Sequence, residues 1–297
     1  MIEIKKATYG GVDCTEQVIK KLRGGSINLK ASNDIIGDTD YGKLKHLLVD
    51  YEINGVLMHK SVVEGDFLII RSNSVNKLGV FYSNNNNPSI FPAIQKSLET
   101  IEKASRGVAD IVTCVWNPIE ANPFVELISW VQNAGHLNQL LQIMQCLYFA
   151  RNSGQYEWVS FLEHDVMYPE DYFSFNETGY VNCVFTNENY IGICEKGFQD
   201  KKWTNQFPFH QMTMRFEDAI KHCESILSNA LITNSGIIEP GDGFTRRTWS
   251  TKNPSVHINH GVHFTSHFET YKSNEFSSNN EYWGHYSKYL DLFKKLN

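Results

Sequence analysis

Five residues, Trp158-Val159-Ser160-Phe161-Leu162, give way without transition to Glu163-His164-Asp165, and Tyr168-Pro169 closes the stretch. A short, largely apolar run bounded in this way predicts a strand buried on both faces that ends in acidic groups. Strands of that kind belong to mostly parallel sheets covered by helices, so this stretch points the chain toward an α/β architecture. Side chains two apart in a strand share a face, which would set Glu163 and Asp165 side by side. Two carboxylates leaving one strand end suit a hard divalent cation that keeps positions open for phosphate oxygens. A charged strand end in a solvated turn fits the same residues.

The flanking sequence supports the α/β expectation. From Lys77 onward, strand and helix patterns alternate: a strand over Leu78–Tyr82, a polar loop from Ser83 through Asn84–Asn87, and a helix over Ile90–Ala104. A second buried strand spans Asp110–Trp116, and prolines force a loop over Asn117–Pro123. Leu137, Leu140, Leu141, Met144, Leu147 and Tyr148 then space out one helical stripe. In such sheets ligands bind outside the carboxyl ends of the strands. Tyr82, Asn84, Asn85, Asn117 and His164 fall there and are the candidate nucleotide-binding residues. Downstream, short strands are expected at Val181–Phe185 and Tyr190–Cys194. A helix begins near Phe216, with Glu217 and Asp218 in its first turn, where acidic groups favour the helix dipole. A terminal amphipathic helix is expected over Glu281–Leu296. Residues 1–74 read as a separate small β-rich domain, with Asn54-Gly55 as its clearest hairpin signal, and 75–297 as the main domain.

Composition removes several classes. No apolar stretch approaches the roughly 18–20 residues needed to span a bilayer, and no signal peptide is evident. Six scattered cysteines without a C-x-x-C pair suggest reduced core thiols and a cytoplasmic setting. A net charge of −6 argues against a chain dominated by contacts to a phosphate backbone. There is no G-x-G-x-x-G after the first strand of the main domain, and no Walker A, G-x-S-x-G or H-E-x-x-H pattern. What remains is the acidic strand end and a late segment, His257–His267, that holds four of the eleven histidines.

The Leu78–Tyr82 strand with its polar loop, and Phe161-Leu162-Glu163-His164-Asp165, resemble a GT-A nucleotide-sugar glycosyltransferase, with Glu163-His164-Asp165 in place of the D-x-D motif. The likeness covers about residues 77–270. It implies a Rossmann-like, mostly parallel sheet, a UDP-sugar donor, and a divalent metal, Mn2+ or Mg2+, held by Glu163 and Asp165 with His260 or His263 as a further ligand. It implies an acceptor base among Asp218, Glu217 and His210. The segment Val256–His267 is also similar to bacteriophage-encoded glycosyltransferases that decorate hydroxymethylated pyrimidines. That favours double-stranded DNA carrying such bases as the acceptor, in a host cytoplasm, with no membrane partner. A glycan acceptor, a non-catalytic carbohydrate- or nucleic-acid-binding protein, and a metal-dependent phosphoesterase are the alternatives.

Overall fold

The computed structural model describes residues 2–23, 26–53, 56–71, 76–132, 136–153, 156–175, 182–200, 209–233, 244–258 and 275–293. The chain divides into two compact units, Met1–Val75 and Asn76–Asn297.

The first unit runs β1 (Ile2–Tyr9), β2 (Val12–Asp13), α1 (Thr15–Ile19), β3 (Leu22–Arg23), β4 (Ser26–Lys30), β5 (His46–Ile53), β6 (Val56–Val63) and β7 (Phe67–Arg71). Two antiparallel sheets result, in the orders β2-β1-β5-β6 and β3-β4-β7. Alternation places Ile2, Ile4, Tyr9, Leu47, Val49, Ile27, Leu68 and Ile70 in one core. Ile53 pairs with Val56, so β5 and β6 form an antiparallel hairpin, and the Asn54-Gly55 turn expected between them lies outside the described residues. Lys45, only 4% exposed, bonds Asp38 at 2.9 Å and Glu64 at 3.3 Å. The Tyr9 hydroxyl donates to Glu64 at 2.7 Å. A buried ammonium needs such partners, and here they tie the connection between β4 and β5 to the core.

The second unit runs β8 (Lys77–Ser83), α2 (Phe91–Ser105), β9 (Asp110–Val115), β10 (Val125–Ile128), α3 (His136–Ser153), β11 (Trp158–Glu163), β12 (Val166–Met167), β13 (Cys183–Asn187), β14 (Tyr190–Cys194) and β15 (Gly197–Asp200). After these come β16 (Met212–Arg215), α4 (Phe216–Thr233), β17 (Thr245–Trp249), β18 (Ser255–Ile258), β19 (Asn279–Asn280), β20 (Gly284–His285) and a 3-10 segment, Tyr286–Phe293. Its main sheet has seven strands in the order β10-β9-β8-β11-β16-β13-β17. Neighbours are parallel except where β16 runs against β11 and β13. The unit is therefore α/β with a mostly parallel sheet.

From β8 the chain steps outward through β9 and β10, then returns to the other side of β8 as β11. The order of travel reverses between β8 and β11, the kind of switch point outside whose carboxyl ends open α/β sheets bind ligands. Helix α2 lays Ile94, Leu98 and Ile101 against Phe81 and Leu162. Cys114 and Tyr82 pair on the alternate face of the sheet, and Cys114 meets Gln145 of α3, so α3 covers that other side. Gly79 shows how close the α2 side is: a Cβ there would lie 2.4 Å from Ile111 Cδ1 and 2.8 Å from Leu162 Cδ1.

A smaller sheet, β12-β18-β14-β15, follows the acidic turn. Residues 163–165 thus carry the chain from one sheet into the next. Two strands of the large sheet, β10 and β17, were not evident in the sequence, and the terminal helix expected over Glu281–Leu296 is a shorter 3-10 segment preceded by the β19–β20 pair. Among the described residues no helix is long and apolar enough to cross a membrane.

Candidate functional site

Strand β11 stops at Glu163, and His164 and Asp165 form a turn before β12. The two carboxylates therefore do not share a strand face as alternation predicts; the turn directs each to its own imidazole. Glu163 Oε2 lies 3.0 Å from His210 Nδ1, and Asp165 Oδ2 lies 3.2 Å from His257 Nε2. The two imidazoles stack with centroids 5.4 Å apart and planes 22° from parallel. Tyr82, opposite Glu163 across the switch point, donates its hydroxyl to Glu163 Oε1. Five side chains from four stretches of sequence thus form one cluster at the carboxyl edge.

The surroundings hold it rigidly. The Glu163 N–H donates to the Tyr168 hydroxyl at 3.0 Å. Tyr168 and Tyr172 both donate to the His210 carbonyl, at 3.2 and 3.3 Å. The Ser97 hydroxyl of α2 reaches the Glu163 carbonyl at 3.1 Å and the Val166 carbonyl at 2.7 Å. Ile258 N–H donates to the Asp165 carbonyl at 2.7 Å, which fixes β18 beside the turn.

Electrostatics follow from burial and these partners. Burial pushes the Glu163 carboxyl up, and the Asp165 charge adds to that. The attraction and hydrogen bond of His210, with the bond from Tyr82, outweigh both and hold Glu163 below the usual carboxylate range. Burial first, and the Glu163 charge second, push the Tyr82 hydroxyl well up, so it keeps its proton and acts as a donor. Burial does the same for Tyr168 and Tyr172.

A second group of polar side chains was hidden behind the apolar stripe of α3. Asn138, Gln142 and Gln145 are buried one above another. Gln142 donates to the Ser83 carbonyl at 3.0 Å and the Cys114 carbonyl at 3.1 Å, and Gln145 donates to the Ile128 carbonyl at 2.8 Å. Asn138 donates to Asn84 Oδ1 at 2.6 Å and accepts from the Trp116 indole at 3.3 Å. Carbonyls at the ends of three parallel strands are satisfied in this way, and the loops beyond them are fixed. The amides sit at positions i, i+4 and i+7, one helix face, and that spacing was the available signal.

The expected site residues separate into groups. Tyr82, Glu163, Asp165 and His210 gather at the carboxyl edge, and His164 lies in the turn between the two carboxylates. Asn84 is tied to Asn138. Asn85 is buried, accepts from the Trp116 and Asn117 N–H groups at 2.9 Å each and donates to the Asn117 carbonyl at 2.6 Å, so it clamps one loop to the other. Glu217 and Asp218 are at the opposite edge: β16 runs against β11, Arg215 lies beside Trp158, and α4 starts there. Asp218 accepts the Asn182 N–H at 3.0 Å, and Glu217 lies 3.5 Å from Arg151 at the surface. His260 and His263 lie outside the described residues. The late histidine that meets the acidic turn is His257, which register rather than spacing selects: it pairs with Val166 across β12 and β18.

Compared by sequence, the chain matches no protein-family model and no curated protein. Similar solved structures include a glycosyltransferase involved in glycosylation of the major capsid of PBCV-1, at 13% identity over 65% of this chain and 95% of that one, TM-score 0.38. Another is the mannosyltransferase PcManGT from Pyrobaculum calidifontis in complex with GDP-Man and Mn2+, at 9% identity over 62% and 56%, TM-score 0.34. An active-site mutant of LgtC follows, at 12% identity over 54% and 65%, TM-score 0.33. These are distant likenesses, and what this chain does has to be argued from its own residues.

Proposed function

We propose that the second unit is a divalent-metal-dependent glycosyltransferase of the GT-A kind, moving a sugar from a nucleotide sugar to a hydroxyl acceptor. The observation that supports it is the Glu163–Asp165 turn at the point where strand order reverses, with two carboxylates, two imidazoles and a tyrosine drawn together there. Hard oxygen donors suit a magnesium-type ion, which takes one or two carboxylates and completes its shell with water and substrate phosphate oxygens. Among the described residues no group of three or more His, Cys, Asp or Glu side chains is arranged to hold a metal ion by itself, so substrate phosphate and water oxygens are needed to complete the shell.

Asp165 is the residue assigned to hold the cation, and Glu163, bonded by Tyr82 and paired with His210, orients His210. Bound there, a divalent ion would neutralise the charge that grows on the departing diphosphate. His210 stands at the same edge with its ring fixed by a carboxylate, and it is the group we assign to take the acceptor hydroxyl's proton. The bond from the sugar's anomeric carbon to the phosphate oxygen breaks, its electron pair leaves with the nucleoside diphosphate, and the acceptor oxygen forms the new bond. Glu217 and Asp218 take no part, because the length of a strand separates them from the turn.

UDP-sugar as donor and Mn2+ as the ion are the specific choices. For the acceptor, the resemblance of Val256–His267 to phage enzymes supports a hydroxymethylated pyrimidine in DNA, while the net charge of −6 favours a glycan. Sugar release from a panel of UDP- and GDP-sugars, with mass spectrometry of hydroxymethylated DNA and of oligosaccharides, tests the scheme. Metal-dependent transfer that disappears in Asp165→Ala is expected. Turnover indifferent both to metal and to that substitution would overturn it.

A further inference from the structure

Among the described residues, three connections leave the seven-stranded sheet for the smaller one: 164–165 between β11 and β12, 188–189 between β13 and β14, and 250–254 between β17 and β18. The second and third run side by side. Glu188 N–H donates to the Trp249 carbonyl at 2.9 Å, Ser255 N–H to the Asn189 carbonyl at 3.0 Å, and the Asn189 side chain to the Thr251 carbonyl at 2.9 Å. Where they meet lies Asn187, the last residue of β13, fully buried. Its amide oxygen accepts the Thr251 and Asn189 N–H groups at 3.1 Å each. Its amide nitrogen donates to Gln211 Oε1 at 3.1 Å and to the Ser255 hydroxyl at 3.3 Å. Gln211 and Ser255 are buried as well, so bonds lost there are not made good by bulk water.

Those two acceptors are the chain neighbours of the two imidazoles. Gln211 follows His210 and leads into β16, and register sets it beside Asn187, because Thr186 pairs with Met212. Ser255 opens β18 and shares a strand face with His257. His210 is thus carried by the large sheet and His257 by the smaller one, and the stack with centroids 5.4 Å apart spans the two. Glu163 and Asp165 hold the rings from the side of the first connection, and Asn187 holds their chains from the side of the other two. We propose that Asn187 is a positioning residue: by bonding both Gln211 and Ser255 it sets the separation at which His210 and His257 stack. Its effect on catalysis rests on the glycosyl-transfer reading above; its hold on the ring spacing does not. A carboxamide suits the task, because one short side chain donates and accepts in several directions at once. Misplacing a working group by about 1 Å costs up to about a hundredfold in rate, so a residue that touches no substrate still governs turnover.

The test uses the full chain, with proton–carbon spectra of the histidine rings assigned through His210→Gln and His257→Gln, and transfer assays with Mn2+ and a UDP-sugar. Stacked rings shift one another's signals, so those of His210 and His257 report their spacing. Asn187→Ala removes both bonds, and Ser255→Ala removes only the one to the smaller sheet. Thr251→Val is the control: it takes a hydroxyl from the same buried group, where it donates to the Asn253 carbonyl at 2.6 Å, and spares the neighbours of both imidazoles. The two ring signals move in Asn187→Ala and Ser255→Ala and stay in place in Thr251→Val, whose unfolding midpoint nevertheless drops. Turnover follows the rings: kcat falls about tenfold or more in Asn187→Ala and less in Ser255→Ala, with metal-linked UDP affinity kept. Should Asn187→Ala fail to fold, Ser255→Ala against Thr251→Val decides. Ring signals that stay put in the first two variants, or move equally in Thr251→Val, overturn the proposal. Moved rings with wild-type kcat uphold the hold on spacing and strike His210 from the chemistry. A wild type without metal-dependent transfer strikes the donor reading itself, and the ring signals still decide the role of Asn187.

Discussion

The two edges of the seven-stranded sheet carry similar residues and treat them in opposite ways. At the carboxyl edge, His210 and His257 are buried, Glu163 and Asp165 are largely so, at 23% and 14% exposed, and the four pair as carboxylate with imidazole beside Tyr82. At the amino edge, Arg215 lies 3.4 Å from Glu157, both half-buried, and Arg151 lies 3.5 Å from Glu217, both exposed. Exposed pairs contribute about 0–1 kcal/mol, whereas withdrawing a charge from water costs several unless its partners are well placed. A cluster that accepts this cost at one edge of a sheet, and at the edge where α/β folds bind ligands, is the reason the proposed chemistry is put there. Charge alone does not distinguish the edges; burial and partnership do.

Removing Asp165 is the most severe way to probe that contrast. In Asp165→Ala, metal-dependent turnover falls at least about a hundredfold, the scale of losing a group that stabilises developing charge. Metal-linked UDP affinity, followed by titration calorimetry, falls with it. Full activity in this variant would mean that the carboxyl-edge cluster is structural after all. Glu163→Gln is milder, because the amide keeps the size and one acceptor while losing the charge that orients His210. A reduction of about 10–100-fold in kcat is expected, as for partners that position a working group. The donor KM stays near that of the wild type. A change confined to KM would instead place Glu163 in donor binding.

Behind the cluster, the α3 amides are expected to act on stability first. Gln142→Leu leaves the Ser83 and Cys114 carbonyls without their donor in a buried site. Each orphaned group costs about 1–3 kcal/mol, so the midpoint of thermal unfolding drops by several degrees. A Gln142→Leu protein as stable as the wild type would show that these carbonyls find other partners.

What could be read from the sequence was local. The strand from Trp158 announces itself by an apolar run with a sharp end, the β5–β6 hairpin by Asn54-Gly55, and the start of α4 by a stripe from Phe216. Strand direction was not local. Nothing in Met212-Thr213-Met214-Arg215 says that β16 runs against its neighbours, yet that reversal moves Glu217 and Asp218 from the expected catalytic edge to the other one. Likewise Val125-Glu126-Leu127-Ile128 lacks the uninterrupted apolar run of a buried strand because β10 is an edge strand, with only β9 beside it. His257 could not be singled out among four late histidines, since its role depends on cross-strand register with Val166. The Asn138-Gln142-Gln145 face was legible in principle, but an apolar stripe on the same helix accounted for the pattern without it.

The smallest expected effect is also the sharpest check on the two-edge contrast. Glu217 is exposed and its contact with Arg151 is long, so Glu217→Ala shifts stability by no more than about 0.5 kcal/mol and leaves turnover within about twofold of wild type. Asp218 is buried and its carboxylate accepts the Asn182 N–H. Asp218→Asn therefore costs about 1 kcal/mol, and again leaves kcat alone. First-turn acidic residues of a helix are explained by the dipole without any catalytic duty. If either substitution instead cost a hundredfold in kcat with the unfolding midpoint unchanged, a base would be working at the amino edge. The assignment of the acceptor proton to His210 would then fail, even with Asp165 still in place as the cation ligand.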